Sequence, residues 1–246
     1  MAIFGLYNFK GGVGKTASAV NLAYLSSRKA RTLLWDLDPQ GASTFYLSGE
    51  TRRKGAKKLI SGKRSATAYV EGTPFEGLDL IPANFSFRNL DIVLEQGKKP
   101  ECRLSRLMKP LCKAYEHVFL DCPPNISLSA ESVFRAVDVL LVPALPSTLS
   151  LRTFELITEH VSDWGKKAPR VIPFFCMVDR RRRLHRDICS AMCQGHYGFA
   201  STVIPSASAV ERMGVERAPL FCYGAKTPPA QAYRELWGEI QALVSH

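Results

Sequence analysis

The sequence lacks what would put it in a membrane or outside the cell. No apolar run reaches the roughly 18 residues that a spanning helix needs. The opening residues, Met1 to Phe9, have no charged region of the kind that begins a secretory signal, so the expected location is the cytoplasm. Seven cysteines, an odd number without paired spacing, fit free thiols in a reducing compartment. His185, Cys189, Cys193 and His196 recur at helical spacing, but on one helix they spread over about 16 Å, too far for one tetrahedral zinc. They read as a partly buried helix face. Internal repeats and long low-complexity linkers are absent as well. Acidic residues are scarce beside basic ones, 22 against 33, which leaves a net charge of +11. An excess of that size points to a polyanionic partner, either nucleic acid or anionic lipid.

What is present is a regular alternation of apolar runs and helical patterns. Ala2 to Tyr7, Thr32 to Trp35, Leu78 to Ile81, His117 to Leu120, Val139 to Val142, Val171 to Phe175 and Thr202 to Ile204 read as strands. Helical patterns cover Thr16 to Ser27, Phe87 to Glu95, Cys102 to Ala114, Ser129 to Ala136, Ser150 to Trp164, Leu184 to Cys193 and Pro229 to Val244. Strands that are apolar without alternating are buried on both faces. The expected fold is therefore α/β, a doubly wound, mostly parallel sheet with helices on both faces, in a single domain over 1–246. Ligands of such sheets bind at the carboxyl ends of the strands. Gly49 to Arg64, with seven basic residues and one acid, is the polar exception and reads as a mobile surface element.

Three motifs carry the chemistry. Lys10-Gly11-Gly12-Val13-Gly14-Lys15-Thr16 follows the first strand and opens the first helix. Glycines let successive N–H groups, on to Ala17, turn toward phosphate oxygens, and the helix N-terminus adds partial positive charge. Lys15 brings a full charge to the outer phosphates, and the Thr16 hydroxyl is a magnesium ligand in this layout. The second motif, Asp36-Leu37-Asp38-Pro39-Gln40-Gly41, puts two carboxylates at the end of the second strand. The third, His117 to Pro124, is an apolar strand ending in Asp121, the arrangement that holds the water shell of magnesium.

The first motif resembles the deviant Walker A loop of ParA/MinD-type ATPases, and the second resembles the D-x-D-P-Q-G element of the ParA branch. Leu80 to Asn84, Val142 to Ser147 and Val203 to Pro205 extend the resemblance over nearly the whole chain. It implies that ATP and Mg²⁺ are the cofactors and that two protomers sandwich two nucleotides in an ATP-dependent homodimer. Lys10 then reaches the partner's nucleotide. Lys10, Lys15 and Asp38 act in hydrolysis, with Asp38 positioning the water. Thr16, Asp36 and Asp121 serve the metal. Lys10, Gly11, Gly12, Val13, Gly14, Lys15, Thr16 and Ala17 hold the phosphates, and Met177 and Pro205 meet the adenine.

The densest charge, Arg180-Arg181-Arg182-Arg183 with Arg186 close behind, lies where ParA-type proteins carry a non-specific DNA surface, and Arg212 and Arg217 are candidates for the same patch. Sequence-independent phosphate binding needs only such cations. Gly49 to Arg64 is a further candidate for that footprint. The implied function is a nucleoid-associated ATPase that positions a plasmid, a chromosome or a protein assembly. A ParB-like or other small adaptor stimulates its hydrolysis. The alternative is a MinD-type membrane-associated regulator. Against it, the last helix carries two acids and one base on its polar side and reads as core packing. No segment precedes the first strand, so no site-specific helix-turn-helix domain is expected.

Overall fold

The computed structural model describes residues 1–47, 56–84, 100–124, 128–193 and 198–244. The expected helix from Phe87 to Glu95, residues 49–55 of the basic stretch and His196 lie outside them. Among the described residues the strands are β1 (Ala2–Leu6), β2 (Thr32–Asp36), β3 (Glu71–Gly72), β4 (Leu78–Ile81), β5 (His117–Asp121), β6 (Val139–Ala144) and β7 (Arg170–Phe175). They form one sheet in the order β3-β4-β2-β5-β1-β6-β7, parallel throughout except for β3 against β4. The helices are α1 (Lys15–Ser27), α2 (Ala42–Leu47), α3 (Ala56–Ile60), α4 (Arg103–Met108), α5 (Leu128–Phe134), α6 (Thr148–Ser162), α7 (Arg183–Cys193), α8 (Ser208–Glu211), α9 (Met213–Glu216) and α10 (Pro228–Val244).

Successive strand residues point to opposite faces, and here both faces are apolar. Leu33, Trp35, Val118 and Leu120 enter one core, while Leu34 and Phe119 enter the other. Fully burying each such side chain contributes about 1.5–3 kcal/mol. Helix α1 covers the second core with Ala19, Leu22 and Ala23, beside Tyr233, Leu236, Trp237 and Ile240 of α10. The apolar stripe of the last helix is thus core. Met108, Phe134, Ile157 and Val161 close the first core from the opposite face. A third cluster at the β7 edge joins Phe175, Ile188 and Met192, with Cys189 and Cys193 packed against it. Among the described residues no helix is long and apolar enough to cross a membrane.

Three expected elements differ. The described part of the basic stretch is not purely surface: Ala56–Ile60 forms α3, and its Leu59 and Ile60 are buried in the first core. Cys102 to Ala114 is not one helix: α4 ends at Met108, and a separate 3-10 turn spans Leu111–Lys113. Pro110 between them has no N–H for a helical bond. Thr202 to Ile204 is not a strand. Ile204 donates its N–H to the Phe175 carbonyl (2.8 Å) and accepts from Val178 (3.1 Å), but only an isolated bridge, Val178 with Pro205, results. Met177 turns the chain with φ 56°, and Pro205 cannot donate, so the ladder stops.

Candidate nucleotide site

The strand ends bring the motifs together. Leu6 of β1 and Asp36 of β2 both pair in register with Asp121 of β5. After β1 the chain is held by Asn8, which is buried. Its amide donates to the Pro143 carbonyl (2.8 Å), and its oxygen accepts the Lys10 N–H (2.9 Å). The loop then turns through Gly12 (φ 71°) and Gly14 (φ 91°), conformations that cost glycine little. α1 starts directly at Lys15. It has no side-chain cap and no acid in its first turn, so its free N–H groups and positive end are open to an anion. Apart from its chain neighbours, a Cβ added at Gly11 or Gly12 would meet no atom of the described residues within 4 Å, which leaves room beside the loop backbone.

Lys15 is only 7% exposed, and its ammonium donates to the Lys10 carbonyl (3.0 Å). Burial pulls its pKa down, opposed by the negative charge of Asp121 and Asp38. Asp36 is fully buried. Its Oδ2 accepts from the Thr44 N–H and the Thr44 hydroxyl (2.8 Å each), and its Oδ1 from the Asp38 N–H (3.1 Å). Burial raises its pKa, and the nearby Asp121 raises it further. Asp121 differs in one respect. Its Oδ2 accepts from the Ser43 hydroxyl (2.7 Å), whereas Oδ1 is buried and has no hydrogen-bond partner among the described residues. Burial pushes the Asp121 carboxyl up, and the Ser43 and Thr16 hydroxyls hold it back. A free carboxylate oxygen beside a threonine hydroxyl is the hard-oxygen donor set that magnesium takes. The residues present fit that ion, with Asp36 behind them.

Asp38 sits in the turn closed by the Gly41 N–H on its carbonyl (2.9 Å), and its Oδ1 accepts from Gln40 (2.9 Å). A cavity of about 450 Å³ joins these parts: Gly11, Lys15, Thr16 and Asp38 border one side, Met177 and Pro205 the other. Val13 is buried under the loop, and Lys10 is exposed beside the cavity rather than in its wall. Sequence reasoning missed Tyr46 and Glu211, which also line the cavity. No motif flags either. The only cue for Tyr46 is an aromatic pair, Phe45-Tyr46, shortly after the second motif.

The arginines divide. Arg180, Arg181, Arg182, Arg183 and Arg186 are exposed together at the entry to α7. Arg181 grips Asp179 with two hydrogen bonds (2.9 and 3.0 Å), which hold the Asp179 carboxyl down at about 2. Arg182 is 3.9 Å from Asp179, and Arg183 is 3.5 Å from Asp187. Arg186 donates to the carbonyls of Arg180 and Arg181. The cluster is thus partly neutralised by two acids of its own. Arg212 and Arg217 lie on another segment: Arg212 pairs with Glu216, and Arg217 stacks on Phe45 at 4.5 Å.

Fold and site together define an α/β protein of the P-loop type, with a glycine loop and a helix N-terminus facing a cavity at the carboxyl ends of parallel strands. The family model of an AAA domain matches residues 1–171. The chromosome partitioning protein ParA of Caulobacter vibrioides is 30% identical over 257 residues, covering 98% of this chain and 94% of the relative. Among solved structures, apo McdA of Cyanothece superposes with TM-score 0.84 at 21% identity, covering 98% and 99% of the two chains. Cobyrinic acid a,c-diamide synthase from Mycobacterium smegmatis, with bound ATP analog and magnesium, gives TM-score 0.81 at 25% identity, covering 100% and 95%. The chain belongs to the AAA-domain family, as a P-loop ATPase of the ParA/MinD type.

Proposed function

We propose that the chain acts as one ATPase unit over 1–246 that binds MgATP, dimerises on it and holds DNA without sequence preference. In this way it partitions or positions a plasmid, a chromosome or a protein assembly at the nucleoid, in the cytoplasm, with a ParB-like or other small adaptor that stimulates hydrolysis. One observation carries the proposal: the phosphate loop, Asp38, Met177 and Pro205 border a single cavity, and Asp121, in register with Asp36, keeps an oxygen without a hydrogen-bond partner among the described residues. The relative from Caulobacter vibrioides is a chromosome partitioning protein, which supports the partition role.

In this proposal the N–H groups from Gly11 to Ala17 hold the phosphates, and Lys15 swings from the Lys10 carbonyl onto their outer oxygens. Thr16 and Asp121 hold magnesium, with Asp36 behind. When bound, that ion offsets charge on the departing phosphoryl group. Asp38, half-exposed in the cavity wall, orients water. Lys10, outside the wall, is free to reach the nucleotide of a second protomer and stabilise the same charge. Met177 and Pro205 flank the base. Arg180 to Arg183 and Arg186 meet DNA phosphates, whereas Arg212 and Arg217 are engaged by Glu216 and Phe45 and contribute less. The burial of the α10 stripe argues against a MinD-type membrane helix.

Gel shifts on random-sequence DNA with MgATPγS or MgADP, beside liposome pelleting and size-exclusion chromatography, test this. The expected result is a dimer and a shift with ATPγS only, fading with salt and lost when Arg180 to Arg183 become alanine. A monomer that retains no DNA, or one that pellets with anionic liposomes, refutes it.

A further inference from the structure

The far wall of the cavity comes from the segment after Pro205, where Ala207, Val210 and Glu211 face the same space as the phosphate loop. Little within that segment holds its shape. α8 and α9 have four residues each, too few for a helix to persist alone. They need anchors from elsewhere, and a buried amide on α1 provides one that leads straight back to the phosphate loop.

Asn21 has no solvent exposure. Its Nδ2 donates to the Ala17 carbonyl one turn earlier (2.8 Å) and to the Met213 sulfur (3.2 Å), and its Oδ1 accepts the Leu220 N–H (2.9 Å). Met213 and Leu220 are themselves fully buried, and they lie on the chain that follows the wall residues, which end at Glu211. Asn21 stands five residues after Thr16 on the same helix, about 7.5 Å along its axis. The segment has other braces: the Tyr223 hydroxyl donates to the Ala209 carbonyl (2.7 Å), and Arg217 stacks on Phe45 of α2. Neither of those reaches the helix that begins in the phosphate loop; Tyr24 of that helix does stack on Phe221, but Asn21 lies one turn nearer the loop.

We propose that Asn21 is a positioning residue that fixes the spacing between the phosphate-binding end of the cavity and its base-side wall, so that the share of affinity owed to the nucleoside depends on it. This rests on the nucleotide reading of the cavity given above. The chemistry accounts for the residue type, because an amide offers donor and acceptor in one short planar group. Alanine leaves the Leu220 N–H buried without a partner. Aspartate keeps the acceptor and gives up the donor.

The test compares dissociation constants for ATP and for inorganic tripolyphosphate, each with magnesium, in the parent, Asn21→Ala and Asn21→Asp. Tripolyphosphate engages the loop and has no base to meet the wall. Asn21→Ala should weaken ATP about tenfold, the scale of one buried hydrogen bond, and tripolyphosphate by no more than about twofold. Asn21→Asp should fall between parent and Asn21→Ala for ATP. If Asn21→Ala shows no cooperative melting, Asn21→Asp is judged by the same ratio. Equal weakening of both ligands, or no change in either, overturns the tether and leaves the nucleotide reading intact. A parent that binds neither ligand overturns both.

Discussion

Thr44→Val removes one hydroxyl from the junction on which the acidic side of the site is built. The Thr44 Oγ1 donates to Asp36 Oδ2 (2.8 Å) and accepts the Ala83 N–H (2.7 Å), so it ties β2, α2 and the end of β4 at one point. Thr44, Asp36 and Ala83 are all fully buried, so no water replaces what is lost. Valine keeps the shape. A hydrogen bond to a charged acceptor contributes about 1.5–3 kcal/mol, and a buried N–H left unpaired costs about 1–3 kcal/mol. The lower half of each range gives roughly 3 kcal/mol in total. At about 2–4 °C per kcal/mol for a chain of this size, the melting temperature should drop by about 10 °C. Circular dichroism on heating gives the shift, and urea titration should show an unchanged slope with a lower midpoint. Thr44→Ser keeps the hydroxyl and should cost about 1 kcal/mol, the loss of one methyl. If the valine variant melts within about 2 °C of the parent, the junction does not hold α2 in the way described.

Lys15→Ala should weaken MgATP by about two orders of magnitude in calorimetry while the nucleotide-free melting temperature holds or rises, since an ammonium whose pKa is lowered by burial is no asset to the empty fold; a fall in stability with unchanged affinity contradicts its assigned place. Asp179→Ala frees Arg181 and Arg182, so DNA retention at low salt should increase and the salt slope should steepen by about one unit, read from gel shifts across a salt series. An unchanged slope removes those two arginines from the DNA surface. His117 is held below its usual pKa by burial and hydrogen-bonds the Ser26 hydroxyl at 2.7 Å. Its folded pKa lies under the unfolded value near 6.5, so its contribution is present above that pH and is lost as pH falls. His117→Gln should flatten the decline in melting temperature on the acid side of that value, and an identical pH profile in the variant rules His117 out as the cause.

What the sequence shows by itself is chemistry with a local signature. The phosphate loop is readable because glycine, lysine and threonine must follow one another at a strand-to-helix turn. The central strands are readable because burial on both faces makes every residue apolar, as in Leu33-Leu34-Trp35. Elements whose stability comes from distant partners are hidden. α2 has six residues and no apolar period, and it stands where it does because Ser43 and Thr44 bond to Asp121 and Asp36. β3 has two residues, too few for any pattern. Thr202 to Ile204 looks like a strand since its local composition is right, and it fails because Met177, two residues past the end of β7, leaves the extended region. The same distinction explains Asn21. Its amide is visible as a polar residue inside the apolar run Ala-Val-Asn-Leu-Ala, and such a residue demands a partner. Which partner is decided only when Leu220, 199 residues later, closes onto it. A solitary polar residue on the buried face of a helix therefore predicts a long-range tether before any fold is known, and the fold supplies only the address.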